Sequence, residues 1–317
     1  MPANFMNWAT DNYKFVGKAF DFAYADRLNK LSPVISEVNA KSIDYELTGS
    51  GGYGEAPRYD GENLNEGSLK RGFKTVITPV EYSLSIPVGY KEAKIDKAGE
   101  TKKVGTKLGN SMALTVYLHV LRMFANAWNT DGRHNGGDGV SWANAAHPVA
   151  SRGSQGRRFE ADADAGTYSN ITTDAFSVAA ITAAQARANR FVTPDGVPFD
   201  FDTVLIAPEL EEKAKKMFGE NSRLMPTQNP DDDTNAANPI YGMRYIVMGG
   251  GADGFTSKQW AVCDRRLMKE LVNIVYNTRP MVLQSPQDNP LKDLYTAYAD
   301  FGVGWGDARQ IIFGNPS

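Results

Sequence analysis

Cysteine is almost absent from this chain of 317 residues, where Cys263 is the only one. No intrachain disulfide can form, and a zinc site would need other ligands. A lone cysteine suits a reducing compartment. Histidine is nearly as scarce, with His119, His134 and His147 the only three. None stands in H-x-x-x-H or H-x-H spacing, so no helix or strand presents two imidazoles together to a metal. No run of ~18 apolar residues occurs, so no transmembrane helix is expected. The opening Met-Pro-Ala-Asn-Phe has no basic stretch followed by an apolar one, so no signal peptide is expected. No repeat of roughly 20–50 residues is visible. The net charge of −3 excludes tight, nonspecific nucleic-acid binding by the whole surface, while leaving room for one basic face.

Motifs for catalysis are scarce too. There is no G-x-S-x-G elbow and no P-loop. Gly49-Ser-Gly51-Gly-Tyr-Gly54 matches G-x-G-x-x-G in letters only. The third glycine of a phosphate site opens a helix, and Gly54 leads into Glu55-Ala-Pro57 instead. Asp231, Asp233 and Asn235 resemble the first half of a calcium loop. Its sixth position is Ala236 and its twelfth Gly242, so the closing bidentate glutamate is missing. Arg152, Arg157 and Arg158 suit a solvated loop or an interface ion-pair cluster better than a phosphate site. Cys263 sits in an apolar run, where a thiol behaves as a small hydrophobe. No catalytic, cofactor-binding or metal-binding residue is assigned, and no cofactor is expected.

What the chain does have is reach. Apolar residues make up 42% of it, enough for a core in two domains or one elaborated domain. From about Thr101 to Asn129, Val104, Leu108, Met112, Leu114, Tyr117, Leu118, Leu121, Phe124, Ala125 and Trp128 recur on one side of a helix. Such a rod is ~40 Å long. Gly105 and Gly109 weaken its first half by about 1 kcal/mol each. Asn129-Thr-Asp-Gly132 supplies a stop.

The remaining elements follow in order. Residues 1–40 hold seven aromatics: Phe5, Trp8, Tyr13, Phe15, Phe20, Phe22 and Tyr24. Phe15, Ala19, Phe22 and Ala23 predict one face of a short helix, ended by Ser32-Pro33. Ile43, Tyr45 and Leu47 alternate as a strand. Thr48–Gly67 has little to bury. Val76, Thr78, Val80, Tyr82, Leu84, Ile86 and Val88 then alternate without a break, predicting one half-buried strand of ~45 Å. Pro79 and Pro87 leave it an open edge. A two-stranded hairpin is marginal alone in water, so this arm is expected to lie on a neighbouring subunit.

After a Gly-rich turn at 131–139 and an irregular Ser141–Ala161, a helix capped by Thr172 or Thr173 is predicted. Phe176, Ala179, Ala180, Ala183, Ala186 and Ala188 line it, and it stops near Arg190. Thr203–Ala207 reads as a strand and Pro208 opens a helix whose glutamates precede its lysines. Arg244–Met248 and Trp260–Cys263 are further strands, making residues 165–285 an α/β unit. Leu294–Phe313 reads as a strand bent at Gly302 to Gly306, with Gln310–Phe313 as its return.

This order of parts resembles the major capsid protein of tailed bacteriophages, with the Hong Kong bacteriophage type of fold, and the Mu-like major head subunit branch of it. Phrases similar to that branch are Ala146-His-Pro148, Tyr168-Ser-Asn170, Thr203-Val-Leu-Ile-Ala-Pro208 and Trp260-Ala-Val-Cys-Asp264. The resemblance implies an α+β fold in five parts. These are an N-terminal arm at 1–40, an extended β-hairpin loop at 41–90, and a spine helix with P-domain at 91–167. An α/β A-domain at 168–285 and a return to the P-domain at 286–317 complete them. It implies a structural protein, not an enzyme, that self-assembles into pentamers and hexamers of an icosahedral shell enclosing double-stranded DNA without sequence-specific contacts. A separate scaffolding protein, a portal and a decoration protein are the implied partners. Assembly in the host bacterial cytoplasm and residence in the virion follow. Some relatives form a Lys–Asn isopeptide bond between subunits. Lys70 or Lys74 with Asn315 are the right residue types, but no motif aligns them to that site. Two rivals fit the same residues: an encapsulin-like cellular compartment shell, and an α/β enzyme with its active site in residues 165–285.

Overall fold

A computed structural model of the chain describes residues 14, 16–25, 31–40, 42–51, 70–89, 91, 100–130, 135–148, 167–191, 199–219, 224–225, 236–249, 251–285 and 292–316. The chain forms two compact units, each assembled from three separate stretches. The first takes Met1–Tyr45, Ile77–Val120 and Asn273–Val303; the second takes Glu46–Val76, Leu121–Val272 and Gly304–Ser317.

The first unit is a four-stranded sheet with helices. Its strands lie in the order Ser36–Asn39, Val272–Ser285, Lys292–Trp305, Val80–Gly89. The first pair is parallel, with Ser36 opposite Asn273. The last pair is antiparallel, from Lys292 opposite Gly89 to Phe301 opposite Val80. Directly opposed residues share a face. Tyr295, Ala297, Ala299 and Phe301 therefore share one face with Ile86, Leu84, Tyr82 and Val80. The spine helix, Glu100–Ala125, covers part of it: His119 lies 4.9 Å from the Tyr82 ring and 5.5 Å from that of Phe301. The other face is polar, with Ser85 bonded to Thr296 and Tyr298 donating to Glu81.

The spine helix is continuous through both glycines. A Cβ on Gly105 would overlap the carbonyl oxygen of Val16, and one on Gly109 would fall 2.5 Å from that of Phe20. The glycines are notches that admit the backbone of helix 16–25. That contact also corrects the face expected of the shorter helix. Val16, Phe20 and Ala23 are buried, whereas Phe22 is 80% exposed. Phe5, Trp8, Tyr13 and Phe15 lie outside the described residues. The spine ends at Ala125, four residues before the expected stop. Ala127 there bonds to both Phe124 and Ala143, and Trp128 packs against Phe255 and Phe313.

The long strand predicted over Val76–Val88 is two strands. Lys70–Ile77 pairs with Tyr45–Gly51 as a separate two-stranded ribbon, and Val80–Gly89 joins the four-stranded sheet. The buried positions change parity between them. Thr75 and Ile77 are buried before the break, Val88 after it, and Val76 is exposed. Pro79 sits in the break, where it cannot continue a ladder. Ile43 lies in a bend before the ribbon, not in a strand.

The second unit holds a five-stranded mixed sheet in the order Arg244–Val247, Thr203–Ile206, Trp260–Cys263, Ile311–Gly314, Ile171–Thr172. Its three central strands are buried at every position. Ile311–Gly314 is not the return of the preceding strand. It runs antiparallel to Trp260–Cys263, with Cys263 opposite Ile311. Thr172 lies in this sheet, so the following helix starts later than expected, at Val178. Ser177 caps it by accepting from Ala180 N at 3.1 Å. Ala180, Ile181, Ala184 and Ala188 form its buried face, while Ala179, Ala183 and Ala186 point out. Pro208–Leu210 leads into the helix Glu211–Phe218, where Lys215 pairs with Glu211 and Lys216 with Glu212.

Candidate functional site

Among the described residues the hairpin ribbon has no third strand, so its seat in the second unit comes from contacts outside any ladder. Gly306 lies under Leu47, where a Cβ would fall 2.7 Å from Leu47 Cδ2, and its N–H donates to Leu271 O at 2.9 Å. Gly137 lies directly on the backbone of Lys74 and donates its N–H to Thr75 Oγ1 at 2.8 Å. Lys74 pairs with Glu46 across the ribbon.

One residue beyond Gly137, Asp138 Oδ2 meets His147 Nδ1 at 2.7 Å, with both side chains buried. His147 Nε2 faces two acceptors, Trp142 O at 3.1 Å and Asn170 Oδ1 at 3.2 Å. Tyr168 stacks on the ring at 5.0 Å. Asn170, wholly buried, donates to Trp142 O and Ala308 O and accepts from Asn144 N. The phrases Ala146-His-Pro148 and Tyr168-Ser-Asn170 thus meet: His147 pairs with Tyr168 in a short ladder. No spacing rule joins them, and Asp138 is hidden in a Gly-rich turn. Their separate family likeness was the sole signal.

A second surface lies on the first unit. Val80–Gly89 is the last strand of its sheet, and its helix-facing side is only partly covered. Val80 is 54% exposed and Leu84 43%, and Leu114 on the spine helix is also exposed.

Side chains with chemical potential elsewhere have structural partners. Cys263 is fully buried, and burial with the charges of Asp202 and Asp264 pushes its thiol up. Asp264 caps the helix Arg265–Leu271 by accepting from Arg266 N and Leu267 N, and takes Asp200 N on its other oxygen. Among the described residues no three His, Cys, Asp or Glu side chains gather as a metal site. Gly49 and Gly51 lie in the ribbon strand, not at a helix start. Asn315 is exposed and bonded through its N–H to Thr172 O. The Lys70 side chain lies outside the described residues, as do His134, the three arginines at 152–158, Asp231, Asp233 and Asn235. Among the described residues no helix is long and apolar enough to cross a membrane.

Comparison with solved structures gives the fold. The capsid of Ralstonia phage GP4 matches with a TM-score of 0.53 at 13% identity, over 90% of this chain and 89% of that one. A virus-like particle from Pyrococcus furiosus matches at 0.52 and 9% identity, over 96% and 99%. The capsid of a native GTA particle matches at 0.51 and 12% identity, over 91% and 90%. No curated protein sequence matches significantly. The sequence profile of the phage capsid protein family matches residues 73–312. That span takes in the edge strand, the spine helix and most strands of both sheets, so the chain belongs to the phage capsid protein family and is a structural major capsid protein, a component of the virion shell.

Proposed function

We propose that the protein assembles with copies of itself into pentamers and hexamers that close as an icosahedral shell around double-stranded DNA. Family membership over residues 73–312 carries this reading. Exposed apolar side chains on an edge strand and a two-stranded ribbon with no sheet neighbour support it. Both would gain further cover from another molecule, and symmetric copies are the economical source. A net charge of −3 fits a container that holds DNA without gripping its sequence. The role needs no catalysis. A separate scaffolding protein, a portal and a decoration protein are the further partners, and assembly takes place in the host bacterial cytoplasm.

In this reading residues 1–40 are the arm, 41–90 the extended loop and 91–167 the spine helix with the P-domain. Residues 168–285 are the A-domain and 286–317 return to the P-domain. A cellular compartment shell would use the same fold, and the phage family match favours the virion. Negative-stain imaging and sedimentation of the purified protein test the proposal. Closed particles or rings are expected. A uniform monomer of 34.7 kDa under all assembly conditions overturns it.

A further inference from the structure

A ribbon of two strands has no sheet to fix its direction. Among the described residues of the second unit, the direction of the strands Tyr45–Gly51 and Lys70–Ile77 is set by groups that touch them from the side. Gly306 under Leu47 is one such group. The loop 135–140 is another, and it is held at both ends of a very short path. Gly137 touches the ribbon twice, through the Lys74 backbone and through Thr75 Oγ1 at 2.8 Å. Gly136 lies against the Trp305 ring, which stacks on Trp142 at 5.4 Å with only 9° between the planes. Asp138, the next residue, is tied to buried His147 at 2.7 Å. Its other oxygen accepts from Val140 N at 3.3 Å, closing the loop on itself.

We infer that residues 135–140 are a clasp that sets the angle at which the hairpin leaves the second unit, and that His147 is its positioning residue. His147 acts through Asp138, and it is itself held by Trp142 O, Asn170 Oδ1 and the Tyr168 ring. A buried hydrogen-bonded pair is costly to leave half-made, so the loop has one favoured position. The clasp follows from geometry alone; only its use, aiming the hairpin at a neighbouring copy, rests on the proposed shell.

Hydrogen exchange on the full-length protein tests it. Asp138→Asn and Thr75→Val are expected to speed exchange at the amides of Lys70–Ile77 at least tenfold. The buried strand Trp260–Cys263 is expected to keep its protection in both. Glu46→Gln, which removes only the exposed pair with Lys74, is expected to change neither. Unaltered exchange in Lys70–Ile77 for the folded variants overturns the clasp. An equal rise in Trp260–Cys263 also overturns it, because the pair would then support the whole unit and not the ribbon. Should Asp138→Asn fail to fold, Thr75→Val decides alone, since it leaves His147 and Asp138 intact. Imaging of the unsubstituted protein is read separately: absence of particles sinks the shell while leaving the exchange result valid for the clasp.

Discussion

Gly109 of the spine helix lies against the backbone of Phe20, so close that a Cβ would fall 2.5 Å from the Phe20 carbonyl oxygen and 3.0 Å from its Cα. Two effects of Gly109→Ala oppose each other. Alanine favours the helix by about 1 kcal/mol. Overpacking against a rigid backbone costs about 1–3 kcal/mol, and the obstruction here is main chain, which cannot rotate away. Net destabilisation is expected, together with faster hydrogen exchange in helix 16–25. A melting temperature above that of the parent protein would show that the notch is not needed.

That contact also shows what was legible in the sequence and why. Strands buried on both faces, Thr203–Ile206 and Trp260–Cys263, announce themselves as apolar runs, and the structure places them centrally. The spine helix was readable from its periodicity. Gly105 and Gly109, however, read as weaknesses, because a notch differs from a flaw only when the partner is visible. Alternation across Val76–Val88 ran through Pro79 without a break in letters, yet the face changes there because the two halves answer to different partners. The residues around His147 were out of reach for the same reason: His147, Asp138 and Asn170 come from three segments, and only the fold brings them together.

Tyr24 and Tyr276 should make the first unit sensitive to alkali. Their hydroxyls are 2.6 Å apart. Burial pushes the Tyr24 phenol well above its ordinary 10.0, with Tyr276 and Glu37 adding to the rise and Arg279 opposing it. Burial likewise raises Tyr276, although the hydrogen bond with Tyr24 and the Arg279 charge pull the other way. An acid whose folded pKa is raised contributes its stability in full below the unfolded value. That contribution is lost as pH climbs from there toward the folded value. Melting temperatures are therefore expected to fall above pH ~10. Tyr24→Phe should lose about 1 kcal/mol at neutral pH, the worth of one hydrogen bond, and decline less steeply in alkali. An alkaline decline as steep as that of the parent would assign the sensitivity elsewhere.

Val80 and Leu84 separate folding from assembly. Both are exposed on the edge strand. A lysine at either site can lay its methylenes along the strand and put its charge in water. Val80→Lys and Leu84→Lys are expected to shift the stability of the unassembled chain by less than about 1 kcal/mol. Particle yield by sedimentation should nevertheless collapse, because the charge would be buried against a neighbouring copy. Normal particles from both variants would place the subunit contact on another surface.

Asp307 and Arg309 set the acid limit of the second unit. They occupy the turn between the strands Lys292–Trp305 and Ile311–Gly314, with side chains only 17% and 14% exposed. Asp307 Oδ1 accepts from Arg309 N at 2.8 Å, and Oδ2 from Nη2 at 2.5 Å. Burial alone would raise this carboxyl. The Arg309 charge and its side-chain and backbone hydrogen bonds outweigh that, with a smaller contribution from His147, and hold it below the ordinary 3.8. An acid with a lowered folded pKa contributes stability above its unfolded value and loses it as pH falls through the folded one. Removing one partner of a buried pair costs about 3 kcal/mol, so Asp307→Asn should lose that much at neutral pH. It should also flatten the loss of stability below pH ~4. The discriminating measurement is a series of melts from pH 7 to strong acid: an unchanged acid limb in Asp307→Asn would mean that other carboxylates govern the transition, even if the neutral-pH loss is found.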